Sequence, residues 1–424
     1  MGSKIKSIIG RQIFSERGHP GIETTVVTED GATGVATATA GISVGQHEVQ
    51  FVYDGGSRWR GRGVLKAASN INDIIAPKLR GMDVTQQYTI DHFMLSMDGT
   101  SNKSKLGGNT LASVSAAVLK AAAASLEIPL YQHIGGISAN TLPSPAVGSL
   151  VGSTRFGGDS KRSGGKPSYS FVCYGFPSFS EASYACWNIS ETFLRLMAER
   201  FNLKQNQSRF RFIYVPEGVV SHDQELWNTM TDAITETGYK NQVGIQVDVA
   251  AGTYYDAKKQ KFLGLFSSTE KSKEDLIELY KEMTTNYPFV ILEDPLDEMD
   301  YEGHAVLTKE LDVEVVGDDL FTTNPKRLQQ GIDMGACNAI LLKVNQIGTI
   351  SEAFDVVQLA YKHDYGVMPC SSRGEGPAIA DYAVGLNTGH IRESGLGPSG
   401  NRFLQIELEL GVRAKFAGKA GLMP

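Results

Sequence analysis

From Leu142 onward the chain keeps a rhythm that leaves few folds open: a short apolar, β-branched run, a turn, a helix-length segment, then the next run. The runs are FRFIYV, VGIQVDV, PFVILED, VEVVGDD and AILLKVN, and the segments between them include HDQELWNTMTDAITETG, SKEDLIELYKEMTTN and ISEAFDVVQLAYKHDYG. Runs that are apolar throughout belong to strands buried on both faces, and helices between them place those strands parallel. This many units over about 280 residues favours a closed α/β barrel. A doubly wound open sheet is the second choice, weakened because no GxGxxG opens a helix after a strand.

Upstream the texture differs. Ile5 to Val52 alternates apolar and β-branched residues between Gly and Asp turns, as in IETTVVTEDG and GVATATAG, which predicts an antiparallel meander. GRGVLKAASNINDIIAPKL and LASVSAAVLKAAAASLEI then carry helical spacing. The expected organisation is therefore an α+β capping domain over residues 1–140 and a barrel over 141–424. The segment from Gly152 to Ser170, rich in Gly, Ser and cations, reads as a long loop.

Charge excludes some function classes. With 40 Lys+Arg against 47 Asp+Glu, the net charge of −7 gives no reason to expect nucleic-acid or anionic-membrane binding. Small-molecule chemistry is the better expectation. Cys173, Cys186, Cys337 and Cys370 lack the spacing of a zinc site or the density of a disulfide scaffold, and no long apolar run or signal-like N-terminus is present, so a cytoplasmic protein is expected.

Barrel enzymes place their chemistry at the C-terminal ends of the strands. Those positions hold Glu217 after FIYVP, Asp248, Glu293, Asp318 and Lys343. Three successive strands ending in Asp, Glu and Asp form a ring of hard oxygen ligands suited to Mg²⁺. Each acid taken singly is as readily a helix cap; the three together are not. A lysine ending an apolar strand needs a partner or a function. Lys343 reads equally well as a base for a proton next to a carboxylate, its pKa lowered by a nearby cation, and as a structural ion pair with Asp318.

With these residues placed, the chain resembles the enolase family over essentially its whole length. The likeness is carried by GRGVLKAASNIN, NKSKLGGNTLASVSAA, LPSPA, VDVAAGTYY, YPFVILEDPLDEMDYE, VEVVGDDLFTTNPKR, LLKVNQIGTISEA and VGLNTGHIR. The resemblance implies a modified eight-stranded barrel under an α+β cap and a homodimer or a larger ring of dimers. It also implies two Mg²⁺ per active site, the second substrate-dependent, and a small phosphorylated carboxylate as substrate. It assigns Asp248, Glu293 and Asp318 to the first cation, Ser43 to the second, Lys343 to removal of the C2 proton of 2-phosphoglycerate, and Glu217 to protonation of the departing hydroxide. The pairing of a Lys base with Mg²⁺ is a general feature of that superfamily.

Departures from the family pattern cluster around the substrate. Gly152-Ser153-Thr154-Arg155 and Tyr169-Ser170-Phe171 stand where the family has a loop His and a catalytic-side Glu, and Cys370-Ser371-Ser372-Arg373-Gly374-Glu375 replaces a Ser-His-Arg-Ser-Gly-Glu run. Arg392 replaces the family's carboxylate-holding Lys, a change of geometry as well as size, because a guanidinium pairs bidentately. The expected anion-binding set is thus Arg392, Arg373, Ser371, Ser372 and Arg155, with Lys161, Arg162 and Lys166 offering charge for a further anionic group. Three functions are carried forward: dehydration of 2-phosphoglycerate, a specialised relative such as carboxyphosphonoenolpyruvate synthase acting on a phosphono-enolpyruvate, and a non-catalytic enolase-like scaffold.

Overall fold

The computed structural model describes residues 2–15, 18–41, 44–151, 155–156, 166–203 and 213–423. The expected meander is present as strands Ile5–Phe14, Pro20–Thr28 and Thr33–Thr39, antiparallel and in that order. Its buried face takes the helix Gly108–Ser125, whose small side chains let helix and sheet approach closely. Gly34 is needed for that approach, since a Cβ there would lie 2.0 Å from the Ala117 carbonyl oxygen. Almost every residue of this helix is buried, including Ser113, whose hydroxyl meets that of Thr24 at 2.8 Å.

The second sheet runs, in spatial order, Gly366–Pro369, Ala339–Leu342, Glu314–Gly317, Phe289–Glu293, Val243–Asp248, Ser168–Cys173, Ser144–Val151 and His390–Ser394, with Ile213–Tyr214 also pairing to Ser144–Val151. A parallel bridge between Cys370 and Arg392 joins its two ends, so the sheet curls into a barrel. One expectation needs correction: Ser168–Cys173 is antiparallel to both neighbours, whereas the strand rhythm alone predicts a parallel sheet. The reason is connectivity, because this strand follows Ser144–Val151 with no helix between them among the described residues, and parallel pairing requires a long crossover.

Helices between the strands start where side chains satisfy their first N–H groups. Ser272 and Asp275 form a reciprocal capping box, Asn324 caps a helix that begins with Pro325, and Thr349 accepts from the Glu352 N–H. The outer core, with Phe171, Phe193, Trp227, Phe266 and Tyr280 among its members, packs the helices onto the sheet. Inside the barrel the core is small and includes Ala146, Val172, Ile291, Val316, Leu341 and Met368. Among the described residues no single helix is long and apolar enough to cross a membrane.

Candidate active site

Parallel register brings the acids together. Asp248 and Glu293 are direct partners at the ends of adjacent strands, and Asp318 lies two residues past Val316, which pairs with Glu293 on the other side. All three carboxylates are buried. Among the described residues, Glu293, Asp294 and Asp318 bring ligand oxygens within 4.8 Å of one another. Asp294 was missed by reading only the last residue of each strand, although the doublets Glu293-Asp294 and Asp318-Asp319 are visible in the sequence.

Asp294 has a shaping role. At φ +43° it accepts from the N–H groups of Asp318 at 3.0 Å and Asp319 at 2.8 Å, fixing the turn that presents Asp318. Other non-glycine residues with left-handed backbones lie near the strand ends: Ala250, Thr322 and Thr323 beyond them, and Glu393 and Ser394 as the last two residues of His390–Ser394. Each such residue costs about 1–3 kcal/mol and persists where packing fixes it, which is common at functional sites.

Lys343 follows the strand Ala339–Leu342, and its Nζ meets Asp318 Oδ2 at 2.5 Å. Burial alone would lower the ammonium pKa, but Asp318 overrides it and holds Lys343 above the ordinary lysine range. Burial likewise pushes Asp318 up, and Lys343 brings it down to about 2. Of the two readings left open by the sequence, the ion pair is the one formed here. Gln346 donates to Asp318 Oδ1 at 2.9 Å and is itself oriented by the Thr323 hydroxyl at 2.8 Å.

Arg392 spans two acids, donating through Nη1 to Glu293 at 2.8 Å and through Nη2 to Asp248. Lys166 makes an ion pair with the same Asp248 oxygen. Burial, then the neighbouring Arg392 charge, pulls the Lys166 ammonium down to about 8. Antiparallel register explains its position: Ser168 pairs with Asp248, so the residues just before Ser168 reach the rim beside that carboxylate.

Arg373 is buried and clamps Glu48 with both Nη atoms, at 2.7 and 2.5 Å. Glu48 also accepts from the Gly45 N–H, so this pair ties the 44–48 segment of the cap to the rim. Ser372 accepts a hydrogen bond from Cys370, and Ser371 is half-buried beside it.

Arg155 departs from expectation. Its Nε and Nη2 pair with Asp223 at 2.8 and 2.7 Å, and the Tyr169 hydroxyl donates to the same carboxylate at 2.6 Å. Tyr169 belongs to the outer core, whereas its neighbour Ser168 faces Arg392. Alternation along the strand therefore places the Arg155 pair behind the sheet, committed to structure. Glu217 lies in an exposed turn past Ile213–Tyr214, with no ion pair to the ring among the described residues. Ser43, Lys161 and Arg162 lie outside the described residues.

The donor set fits a divalent cation. Hard carboxylate oxygens converge, and they exceed the cations beside them: burial and the Asp318 charge push Asp319 up to about 7, and burial with Asp319, Asp318 and Glu293 raises Asp294 strongly. A cluster that holds two of its own acids towards the neutral form is short of positive charge.

Comparison with known proteins agrees with this geometry. Residues 170–423 match the family described as Enolase, C-terminal TIM barrel domain, and residues 5–134 match Enolase, N-terminal domain. The chain is 40% identical to the enolase of Thermococcus kodakarensis over 430 residues, covering 98% of this chain and 97% of that protein. Identity is also 40% to the enolase of Pyrococcus furiosus, with the same coverage, and 39% to that of Methanopyrus kandleri, covering 97% of each chain. Strand-end carboxylates, a lysine at the end of Ala339–Leu342, and matches covering both parts of the chain place this protein in the enolase family of phosphopyruvate hydratase lyases.

Proposed function

We propose that the chain dehydrates 2-phosphoglycerate to phosphoenolpyruvate in a Mg²⁺-dependent reaction, with Lys343 removing the C2 proton. The observation that carries this reading is the Lys343–Asp318 pair set among buried acids at the strand ends. Asp248, Glu293 and Asp318 would hold the cation, and Ser43 a second one. Bound Mg²⁺ supplies neutralisation of the charge that develops on the substrate carboxylate.

The side chains divide the remaining work. Lys343 sits between Asp318, which favours its charged form, and Arg373 and Arg392, which oppose it, so the balance responds to whatever occupies Asp318. Arg392, whose fork is held by Glu293 and Asp248, supplies positive charge beside the substrate carboxylate. Ser371 and Ser372 hydrogen-bond phosphate oxygens, and Glu217 delivers the proton to the departing hydroxide. Its strand pairs parallel to Ser144–Val151, which supports placing it at the same rim. Arg373, engaged by Glu48, holds the cap segment in place. The four buried free cysteines suit a reducing cytoplasm.

One observation favours a second reading. With Arg373 taken by Glu48, that arginine is withheld from a substrate phosphate, which leaves a specialised relative acting on a phosphono-enolpyruvate as the second reading. Ultraviolet absorbance in millimolar Mg²⁺, beside a known enolase, decides between them. Turnover of 2-phosphoglycerate within about tenfold of the control, or about 1.4 kcal/mol in barrier, supports dehydration. Negligible turnover with Mg²⁺-dependent thermal stabilisation intact supports the phosphonate reading, and absence of both supports a scaffold.

A further inference from the structure

Positive charge is spread unevenly around the ring. Asp318 pairs with Lys343, and Glu293 shares Arg392, but Asp248 takes both Arg392 and Lys166 on one oxygen. Asp294 and Asp319, at the other end, form no ion pair among the described residues. The acid excess that suits a divalent cation and the cation excess on Asp248 are thus at opposite ends of one cluster.

The two cations on Asp248 are not equivalent. Arg392 bridges two strand ends with separate nitrogens, so leaving Asp248 would break one arm of a fork. Lys166 is a point charge that makes its carboxylate contact with Asp248 and a long 3.5 Å hydrogen bond to the Ser168 hydroxyl. Its carbonyl is held, because the Tyr254 hydroxyl donates to it and Tyr254 closes the helical turn after Asp248. A held carbonyl and an exchangeable head suit a side chain that holds a carboxylate and releases it.

We propose that Lys166 is a resident counter-ion of Asp248 that a divalent cation must displace, so that this side chain lowers the cation affinity of the ring. The inference rests on the reading of Asp248, Glu293 and Asp318 as the cation site. Ammonium and divalent cation compete for the same oxygen, and each raises the cost of the other through like-charge repulsion.

Thermal melting of the purified full chain, titrated with MgCl₂, tests this, because a cation that binds the folded state raises the melting temperature by mass action. The Mg²⁺ midpoint of Lys166→Met is expected to fall by about three- to tenfold relative to wild type, with Lys166→Arg close to wild type because the charge is kept. Lys166→Gln serves in the same way if the methionine variant fails to fold. Asp248→Asn separates the two ideas. If it removes the Mg²⁺-dependent rise while the neutral Lys166 variants keep the wild-type midpoint or weaken it, the counter-ion role is overturned and the cation site stands. If wild type itself shows no Mg²⁺-dependent rise, both are overturned.

Discussion

Two arginines, Arg155 buried and Arg392 partly buried, lie on opposite faces of the strand Ser168–Cys173, and both read from sequence as anion-binding residues. Arg392, in front, spans Asp248 and Glu293 at the rim. Arg155, behind, pairs bidentately with Asp223, whose carboxylate also accepts from Tyr169. Chemically the pairs are alike. They differ in surroundings: the front pair belongs to a cluster with surplus acid, while the rear pair is embedded among Trp227, Tyr169 and other outer-core residues. The lesson is that a buried Arg–carboxylate pair becomes chemically available only where the neighbouring acids leave something else to bind.

Perturbations should separate the two faces. The largest effect is expected from Lys343→Ala, which should lower turnover of 2-phosphoglycerate about 10²–10⁴-fold and abolish C2 proton exchange, with Mg²⁺-dependent stabilisation retained. Exchange at the wild-type rate would remove Lys343 as the base.

Next is Arg155→Met, which leaves Asp223 charged and buried and should cost about 3–5 kcal/mol of stability in denaturant unfolding. Turnover per folded molecule should stay within about twofold of wild type. A large loss of turnover without loss of stability would return Arg155 to the active site.

Arg392→Met should give the opposite pattern, with turnover reduced about 10- to 100-fold through loss of substrate orientation. Its stability should drop in EDTA and recover with Mg²⁺, which can replace the missing charge, whereas Mg²⁺ should not rescue Arg155→Met. Equal rescue of both variants would erase the distinction between the faces.

The smallest effect concerns His304, buried in the helix Tyr301–Glu310. Its Nδ1 donates to the Asp300 carbonyl at 2.7 Å and its Nε2 has no partner among the described residues. Burial lowers its pKa below 6.5, so the unfolded chain takes up a proton first as pH falls. Stability from this group is therefore full above the unfolded value and declines below it. The melting temperature of wild type should drop below pH 6.5 more than that of His304→Gln; parallel profiles would show that charging His304 costs nothing.

Much of the front face was legible because strand ends obey a positional rule. Asp248, Glu293, Asp318 and Lys343 were reached by asking which residue closes each apolar run, and parallel register then makes them neighbours. The second acid of each doublet escaped, since one residue past a strand the backbone turns, and φ +43° at Asp294 decides where its carboxylate points. The rear pair was illegible for another reason. Arg155 and Asp223 are 68 positions apart, Arg373 and Glu48 are 325 apart, and no local pattern marks such partners.

By itself the sequence determined the two-part architecture, the acid ring and the lysine beside it. These follow from periodicity and from the cost of ending a buried strand in a charge. Tertiary structure alone decided which cations serve the ring. Arg155 and Lys166 are near one another in the sequence, yet Arg155 pairs with Asp223 behind the sheet, and antiparallel register brings Lys166 to Asp248. A side chain's charge is written in its residue type, but the carboxylate it meets depends on which face of a strand the chain presents when the sheet closes.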